Sequence, residues 1–258
     1  MGFKVVIPAR YGATRLPGKP LLDWHGRPIL QWVYDAACAS GADEVIVATD
    51  DPRVISALRP GPDGRPPRAM LTDPSHPSGT DRVAEIARSQ ELGWSGHDIV
   101  VNLQGDEPQM PPVLIDQVAG LVADDSLADI ATLCTPIASL EQFLDPNVVK
   151  VVRAGDGAAL YFSRAPIPWD RDAAGGSLVA QTSHASAMRH LGLYAYRVDA
   201  LARLTTLAPS SLEQIERLEQ LRALEAGMRI AVGIAARPPG IGVDTPEDLE
   251  QLRQLAPD

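Results

Sequence analysis

Cysteine is scarce in this sequence, and its shortage excludes several classes of protein. Of 258 residues only Cys38 and Cys134 are cysteine, each in an apolar stretch, and no Cys/His pair has the spacing of a metal site. A disulfide-stabilised secreted fold is therefore not expected. No apolar run approaches the ~20 residues of a membrane-spanning helix, and the N-terminal residues lack a signal-peptide pattern. We expect a cytoplasmic chain with no membrane partner.

Positive charge is also in short supply. Lys and Arg number 23 against 33 Asp and Glu, which gives a formal net charge of −10 and a pI near 4.9. Binding to nucleic acid or to an anionic membrane surface depends on Lys and Arg that neutralise phosphates, so neither partner is expected. An anionic ligand must instead meet a local basic cluster.

The first half of the chain alternates apolar strands with helices. The patterns occur at these positions: strands over 3–9, 44–49 and 98–103, and helices over 29–40, 80–92 and 111–123. This alternation predicts an α/β fold with a mostly parallel sheet and helices on both faces. Ligands bind beyond the carboxyl ends of such strands. The three predicted strands end in polar clusters around Arg10, Asp50 and Asp106, which we expect to converge.

The second half of the chain begins with strand-like runs separated by little helix. These runs cover 130–135, 148–153, 158–163 and 191–196, and they predict a β-rich subregion at about 130–200 within one domain that spans 1–258. A Gly/Ser/Ala-rich stretch at 171–187 predicts a mobile loop. The chain then continues with a predicted helix over 210–226 with Ser211 as its N-cap, a strand over 228–235 and a helix over 245–255.

The basic cluster lies in the loop that follows the first predicted strand. Arg10, Arg15 and Lys19 fall within ten residues, and Gly12 and Gly18 permit tight turns that can aim several N–H groups at one anion. Forked Arg donors and a Lys point charge suit a triphosphate partly neutralised by a metal. An ordinary polar loop between strand and helix is the alternative.

This loop is not one of the common phosphate-binding motifs. Five residues separate Gly12 from Gly18, and Pro20 follows Lys19 where a P-loop needs Ser or Thr. No G-x-G-x-x-G follows the strand, which excludes a dinucleotide fingerprint.

The loop does resemble the signature of a known family. Residues 6–11 and 14–20 are similar to the start of 3-deoxy-manno-octulosonate cytidylyltransferases (CMP-KDO synthetases). Further blocks resemble that family in the same order: Ser78–Arg82, Asn102–Pro108, Tyr161–Arg164, Ile167–Arg171, Arg189–Tyr194, Leu218–Arg222 and Gly242–Leu249. Eight blocks in order, spread over nearly the whole chain, are far more specific than one.

The resemblance implies a nucleotidyltransferase-like, Rossmann-like fold and a defined reaction. CTP and 3-deoxy-D-manno-octulosonate (KDO) would give CMP-KDO and pyrophosphate, for lipopolysaccharide biosynthesis. It also implies a homodimer, for which the β-rich subregion at 130–200 is the natural interface. Two rivals stay open: the same chemistry on another acid sugar, such as 8-amino-KDO or a sialic acid, and a non-catalytic nucleotide-binding regulator.

Metal binding is implied at two aspartates. Asp106 follows the strongest strand pattern and Asp244 precedes the last helix, and the resemblance implies that both hold Mg²⁺ at the triphosphate. Mg²⁺ prefers few carboxylates together with waters and phosphate oxygens. Without the resemblance, each would be read as a solvated acid or a helix cap. Glu107 competes for the metal role, but we assign it to structural support.

The resemblance also implies which residues hold the nucleotide. The set is Ala9, Arg10, Arg15, Lys19, Ser78, Gly79, Thr80 and Arg82. Within it Lys19, Arg10 and Arg15 are the catalytic residues, because they neutralise charge that grows on the pyrophosphate. Ser78 and its neighbours equally suit a helix N-cap. Gly12-Ala13 stands where family members often have Ala-Ser, and the missing hydroxyl predicts a modest loss of affinity.

A separate set is implied for the sugar. It consists of Gln104, Arg164, His190, Tyr194, Glu219 and Gln220, with Arg164 as the expected partner of the sugar carboxylate. The four-residue separation of His190 and Tyr194 places both on one face of a strand, which also suits simple packing. Glu219 could equally form surface ion pairs along its helix.

Overall fold

The structure has a nine-stranded central sheet and a separate two-stranded sheet formed by Asp23–Trp24 and Arg27–Pro28. In the central sheet, parallel strands flank one antiparallel insertion. In the computed structural model, which describes residues 2–12, 16–173 and 181–256, the strands are β1 (Phe3–Ala9), β2 (Asp23–Trp24), β3 (Arg27–Pro28), β4 (Glu44–Thr49), β5 (Arg68–Leu71), β6 (Ile99–Asn102), β7 (Ile130–Pro136), β8 (Lys150–Arg153), β9 (Ala159–Ser163), β10 (Met188–Arg197) and β11 (Ile230–Ile234). The order across the sheet is β11-β7-β10-β6-β1-β4-β5. β10 is antiparallel to β6 and β7, whereas β1 is parallel to β4 and β6.

Helices cover both faces of this sheet. They are α1 (Ile29–Cys38), α2 (Pro52–Ala57), α3 (Gly79–Ala87), α4 (Pro112–Asp124), α5 (Leu140–Leu144), α6 (Val198–Thr206), α7 (Ser211–Glu216), α8 (Gln220–Glu225) and α9 (Pro246–Arg253), with a 3₁₀ turn at Lys19–Leu21. Val5 and Ile7 of β1 pack in the core under α1 and α4, while Val6 packs in the core under α3 and α6. The two-residue strand period thus fills both layers. None of the described helices has the length and apolar content to cross a membrane.

Helix starts follow local capping chemistry. Asp51 accepts a hydrogen bond from the amide of Arg53 at the start of α2. Thr245 and Asp248 form a reciprocal capping box on α9. The predicted cap of the 210–226 helix was one residue off, because Ser210 and not Ser211 closes the capping box with Glu213.

The predicted continuous helix over 210–226 was wrong. It is two short helices, α7 and α8, separated at Arg217, whose φ of 54° puts it in the left-handed region and ends the hydrogen-bond ladder. Apolar spacing continues across the break, since Leu218 and Leu221 are both buried. The break places Glu219 at the start of α8.

The β-rich subregion is less separate than the sequence suggests. Of its four predicted strands, β7 and β10 lie inside the central sheet, and only the β8–β9 hairpin branches from it through β10. The sequence reading missed β5, the β2–β3 hairpin, α5 and α6. The predicted mobile loop at 171–187 lies partly outside the described residues.

Candidate active site

The carboxyl ends of three neighbouring strands form one edge of the sheet. β1 lies between β4 and β6, so the polar ends at Arg10, Asp50 and Asp106 converge as their sequence position predicts. Two of these ends approach very closely at Gly105. A Cβ placed there would lie 2.9 Å from the carbonyl oxygen of Pro8. Glycine is therefore required where the backbones meet.

Asp50 organises the loop that follows β1. Its carboxylate accepts a hydrogen bond from the Tyr11 amide at 3.0 Å and lies 3.9 Å from Nε of Arg10. It also pairs with Arg82 at 3.3 Å, and Arg82 is only 2% exposed and donates to Thr72 as well. Burial lowers the pKa of the Arg82 guanidinium, which the Asp50 charge partly opposes. The Asp50–Arg82 pair therefore holds in place the loop that follows β1.

The ammonium group of Lys19 lies between two carboxylates. Nζ donates to Oδ2 of Asp106 at 2.6 Å and to Oδ1 of Asp244 at 3.0 Å. These residues are 87 and 225 positions away in the chain, so only the fold brings them together. Gly18, with φ of 70°, turns the backbone just before Lys19, and its amide closes the loop on the carbonyl of Tyr11.

Asp244 reaches this point because α9 does not need it as a cap. The cap is Thr245, whose hydroxyl accepts from the amide of Asp248. The preceding residue, Val243, donates its amide to the carbonyl of Asp106 at 2.9 Å. This backbone bond fixes the separation of the two aspartates and leaves the Asp244 carboxylate available to a cation. The helix-cap alternative for Asp244 is thereby excluded.

Burial and charge act in opposite directions here. Burial raises the pKa of Asp106, although Lys19 opposes the rise. Burial alone would lower the pKa of Lys19, but the two carboxylates outweigh it and the pKa rises. Burial, together with the Asp106 charge, raises the pKa of Glu107 to about 7. An additional cation beside Asp106 and Glu107 would stabilise both carboxylates in their charged forms.

The donor set fits Mg²⁺ bound together with a phosphate ligand. Among the described residues no three His, Cys, Asp or Glu side chains gather into a ready-made metal cluster. Asp106 and Asp244 nevertheless share one cationic group, and Mg²⁺ in nucleotide sites takes one or two carboxylates, waters and phosphate oxygens. Two converging carboxylates beside a basic loop match that requirement.

Two adjoining cavities open at this edge of the sheet. The inner cavity, of about 190 Å³, has a wall that includes Ala9, Arg10, Lys19, Ser78, Gly79, Arg82 and Asp106. The wide cavity, of about 1340 Å³, has a wall that includes Thr80, Asn102, Arg189, His190, Tyr194, Glu219 and Gln220. Ser78, Gly79 and Gln104 belong to both walls, so a ligand in one cavity can meet a ligand in the other.

Known proteins place this arrangement in a family. A family model described as Cytidylyltransferase matches residues 4–230. The 3-deoxy-manno-octulosonate cytidylyltransferase of Thioalkalivibrio sulfidiphilus is 54% identical over 255 residues, which cover 99% of each chain. That of Aeromonas salmonicida is 51% identical over 259 residues, also 99% of each. The chain belongs to the 3-deoxy-manno-octulosonate cytidylyltransferase family.

Solved structures agree with the assignment. The structure of CMP:2-keto-3-deoxy-manno-octonic acid synthetase complexed with CTP is 42% identical, covers 98% of each chain and superposes with a TM-score of 0.84. A nucleotidyl transferase from Methanothermobacter, 19% identical with a TM-score of 0.57, shares the fold. The family resemblance and the fold class predicted from the sequence are thereby confirmed.

Most of the nucleotide set predicted for this cytidylyltransferase surrounds the inner cavity. Ala9, Arg10, Lys19, Ser78, Gly79 and Arg82 line it, whereas Thr80 lines the wide cavity. Arg15 lies outside the described residues. Of the two alternatives for Ser78, the helix cap is observed, since its hydroxyl caps α3, and the same hydroxyl also lies 3.1 Å from Glu219. The roles of the set toward CTP stay predictions.

The sugar set of the cytidylyltransferase gathers with one exception. Gln104, His190, Tyr194, Glu219 and Gln220 all line the wide cavity. Glu219 does pair with Arg222, three residues along the chain, at 3.7 Å, but it also accepts closer hydrogen bonds from Ser78 and Thr80. Burial raises its pKa, although these two hydroxyl groups oppose the rise.

Arg164 is the exception. Its guanidinium donates to the backbone carbonyl oxygens of Glu216 at 2.6 Å and Pro146 at 2.9 Å, and it is absent from the described wall of the wide cavity. The expected partnership between Arg164 and the sugar carboxylate is therefore not supported by this geometry. Arg189 and Arg217 line the cavity instead, and both are exposed.

Several residues of the site were missed by sequence reasoning. His76 and Pro77 line the inner cavity, and Asn102 and Arg189 line the wide one. Arg189 and Asn102 each begin a family-like block, next to His190 and near Gln104 in the sequence. That position could have identified both as candidate site residues. Asp50 was recognised as a polar strand end, but its buried pairing with Arg82 depends on tertiary structure.

Proposed function

We propose that this cytidylyltransferase transfers CMP from CTP to KDO and releases pyrophosphate. The observation that carries the proposal is the ammonium of Lys19, which lies against Asp106 and Asp244 beside an inner cavity that adjoins a wide, polar one. A triphosphate in the inner cavity would have its reacting phosphorus near the shared wall, where an acid sugar can approach. The relatives' names supply the identity of the sugar, and the similar synthetase structure in complex with CTP supplies that of the nucleotide.

Catalysis in this proposal is mostly positioning and electrostatics. The oxygen of the sugar's anomeric hydroxyl attacks the α-phosphorus in line while the bond from that phosphorus to the pyrophosphate breaks. The pyrophosphate leaves on the opposite side, and the hydroxyl proton passes to solvent water. Lys19, Arg10 and Arg15 neutralise the negative charge that grows on the leaving group. Asp106 and Asp244 would hold Mg²⁺, which when bound polarises the α-phosphate and lowers the pKa of the attacking hydroxyl.

His190 is not the base of this mechanism. Burial, with a smaller contribution from Arg189, lowers the pKa of His190 to about 3, so its imidazole is too weak a base to deprotonate a hydroxyl efficiently near neutral pH. The cations of the wide cavity, Arg189 and Arg217, are the groups we propose for the sugar carboxylate in place of Arg164.

Assembly and location are further parts of the proposal. We propose a homodimer through the branch formed by β8 and β9, where Leu160 is 60% exposed, and sedimentation or light scattering of the purified protein would measure it. A monomer at micromolar concentration would contradict this part. A cytoplasmic enzyme without a membrane or nucleic-acid partner accords with a net charge of −10.

Pyrophosphate release with CTP and a panel of acid sugars tests the substrate assignment. We expect Mg²⁺-dependent release with KDO at a higher kcat/KM than with 8-amino-KDO or a sialic acid. Release only with another sugar would replace KDO as the substrate while retaining the chemistry. Absence of release with every sugar, from protein that still binds CTP, would favour a nucleotide-binding regulator.

A further inference from the structure

β10 is irregular where it borders the wide cavity. Its pairing with β7 shifts register between Leu191 and Tyr194, so that Gly192 and Leu193 fall outside the paired register. Bulges of this kind re-aim side chains and occur beside functional sites. His190 precedes the bulge and Tyr194 follows it, and both line the wide cavity.

The bulge carbonyl groups converge on the hydroxyl of Thr132 in β7. Thr132 is fully buried, and its Oγ1 lies 2.8 Å from the carbonyl oxygen of Leu193 and 3.0 Å from that of Leu191. The same oxygen lies 3.0 Å from Nε2 of His190. A hydroxyl has one proton to donate, and carbonyl oxygens can only accept. If that proton pointed at His190, two oxygen–oxygen contacts of 2.8 and 3.0 Å would have no hydrogen between them. The proton therefore goes to the bulge, and toward His190 the hydroxyl accepts.

This arrangement determines which ring nitrogen of His190 carries a proton. Since Thr132 accepts, Nε2 must donate and so is protonated. Burial lowers the pKa of His190 to about 3, so the ring is neutral and Nδ1 keeps a bare lone pair. Nδ1 has no hydrogen-bond partner among the described residues. It is also not among the buried side-chain atoms that lack a partner in that part of the chain, so it is accessible to solvent. It is thus open to the cavity.

We propose that Thr132 is a positioning residue that holds His190 in its Nε2-protonated form, so that Nδ1 accepts a hydrogen bond from a hydroxyl of the acid sugar. The identity of the ligand rests on the proposed function, whereas the protonation state does not. The opposite tautomer would present an N–H to the cavity and would favour an acceptor such as a carbonyl. Phe162, edge-on at 5.0 Å between ring centroids, and Tyr194 at 5.3 Å confine the ring in this orientation.

Nitrogen NMR of histidine-labelled, ligand-free protein tests the tautomer directly. The chain has five histidines, and the spectrum of His190→Gln identifies the His190 signals by their loss. In the wild type we expect a protonated Nε2 and an unprotonated Nδ1. In Thr132→Val, which keeps the shape but removes the hydroxyl, we expect the two signals to move toward averaged positions. A protonated Nδ1 in the wild type, or an unchanged pattern in Thr132→Val, would overturn the proposal.

Steady-state kinetics test the consequence for the sugar. Thr132→Val should raise the KM for KDO by about fivefold, the fold-change that one lost neutral hydrogen bond produces, with the KM for CTP little changed. Thr132→Ser retains the hydroxyl and should restore both the tautomer and the KM. Val122→Ala, in the buried face of α4, controls for lost stability and should leave the sugar KM unchanged.

The two measurements separate the two hypotheses. If KDO is not turned over but the Nε2-protonated form is found and is lost in Thr132→Val, the proposed substrate fails and the role of Thr132 stands. If KDO is turned over and Thr132→Val leaves the KM for KDO unchanged, as Val122→Ala is expected to do, or raises the KM for CTP as much as that for KDO, Thr132 is merely structural and this inference fails.

Discussion

Replacing Gly105 by alanine tests whether the close approach of two strand ends builds the active site. The added Cβ would lie 2.9 Å from the Pro8 carbonyl oxygen, a backbone atom that cannot rotate away, and 3.4 Å from a methyl group of Leu30. Ordinary contact requires a few tenths of an ångström more, so the ends of β1 and β6 must separate. Overpacking of this kind costs about 1–3 kcal/mol of unfolding free energy, and each kcal/mol lowers Tm by about 2–4 °C in a chain of this size.

Activity should suffer more than stability in this variant. The separation moves Asp106 relative to the loop that carries Arg10 and Lys19, and a misplacement of about 1 Å can cost 10²-fold in rate. We expect kcat/KM to fall about 10–100-fold, measured by pyrophosphate release, while circular dichroism shows an intact fold.

A glycine in open space provides the control. Gly120 lies inside α4, and a Cβ there meets no atom within 4 Å. Gly120→Ala should raise stability by about 0.5–1 kcal/mol, because alanine is the better helix former, and should leave the rate unchanged. If Gly105→Ala retained wild-type Tm and kcat/KM, the account of the converging strand ends would be refuted.

The remaining predictions concern the acidic cluster. Asp106→Asn and Asp244→Asn should each lower Mg²⁺-dependent kcat by about 10²-fold or more, whereas Asp124→Asn, on the exposed end of α4, should be neutral; near-normal rates in either site variant would remove the metal assignment. Glu107→Gln should be more stable than wild type at pH 8 by up to about 3 kcal/mol. The pKa of Glu107 is about 7 in the folded state and 4.5 in the unfolded chain, so the wild type loses stability as pH rises through this window. The difference in unfolding free energy should therefore vanish at pH 4.5 in urea titrations. A difference that does not depend on pH would show that Glu107 is not titrating. Thr245→Ala should cost about 1 kcal/mol and raise the Mg²⁺ concentration for half-maximal rate, and an unchanged Mg²⁺ requirement would separate the cap from the metal site.

The strand ends of the site were predictable because they depend on local pattern. Apolar runs that end in polar residues mark β1, β4 and β6, and parallel strands put those ends on one edge. What the pattern could not show is which side chains then touch. Lys19 meets Asp244 across 225 residues, and neither spacing nor periodicity encodes a contact at that separation. The family-like blocks suggested it only indirectly.

The wrong helix prediction and the unsupported role of Arg164 have physical causes of the same kind. One residue, Arg217, adopts a left-handed conformation and ends α7, yet the apolar period continues past it, so periodicity predicts an unbroken helix. Arg164 has the right chemistry for a carboxylate, but the end of α7 brings the carbonyl of Glu216 to its guanidinium instead. Both outcomes depend on how α7 and α8 dock, which is a tertiary property.

Phosphorus NMR of the complete reaction tests the central claim most directly. With wild-type protein, CTP, KDO and Mg²⁺, the account predicts that the three CTP signals are replaced by one phosphodiester signal and one pyrophosphate signal in equal molar amounts of product, and that a chelator stops the conversion. Persistence of CTP, or its conversion to free CMP and pyrophosphate without a sugar phosphodiester, would contradict it.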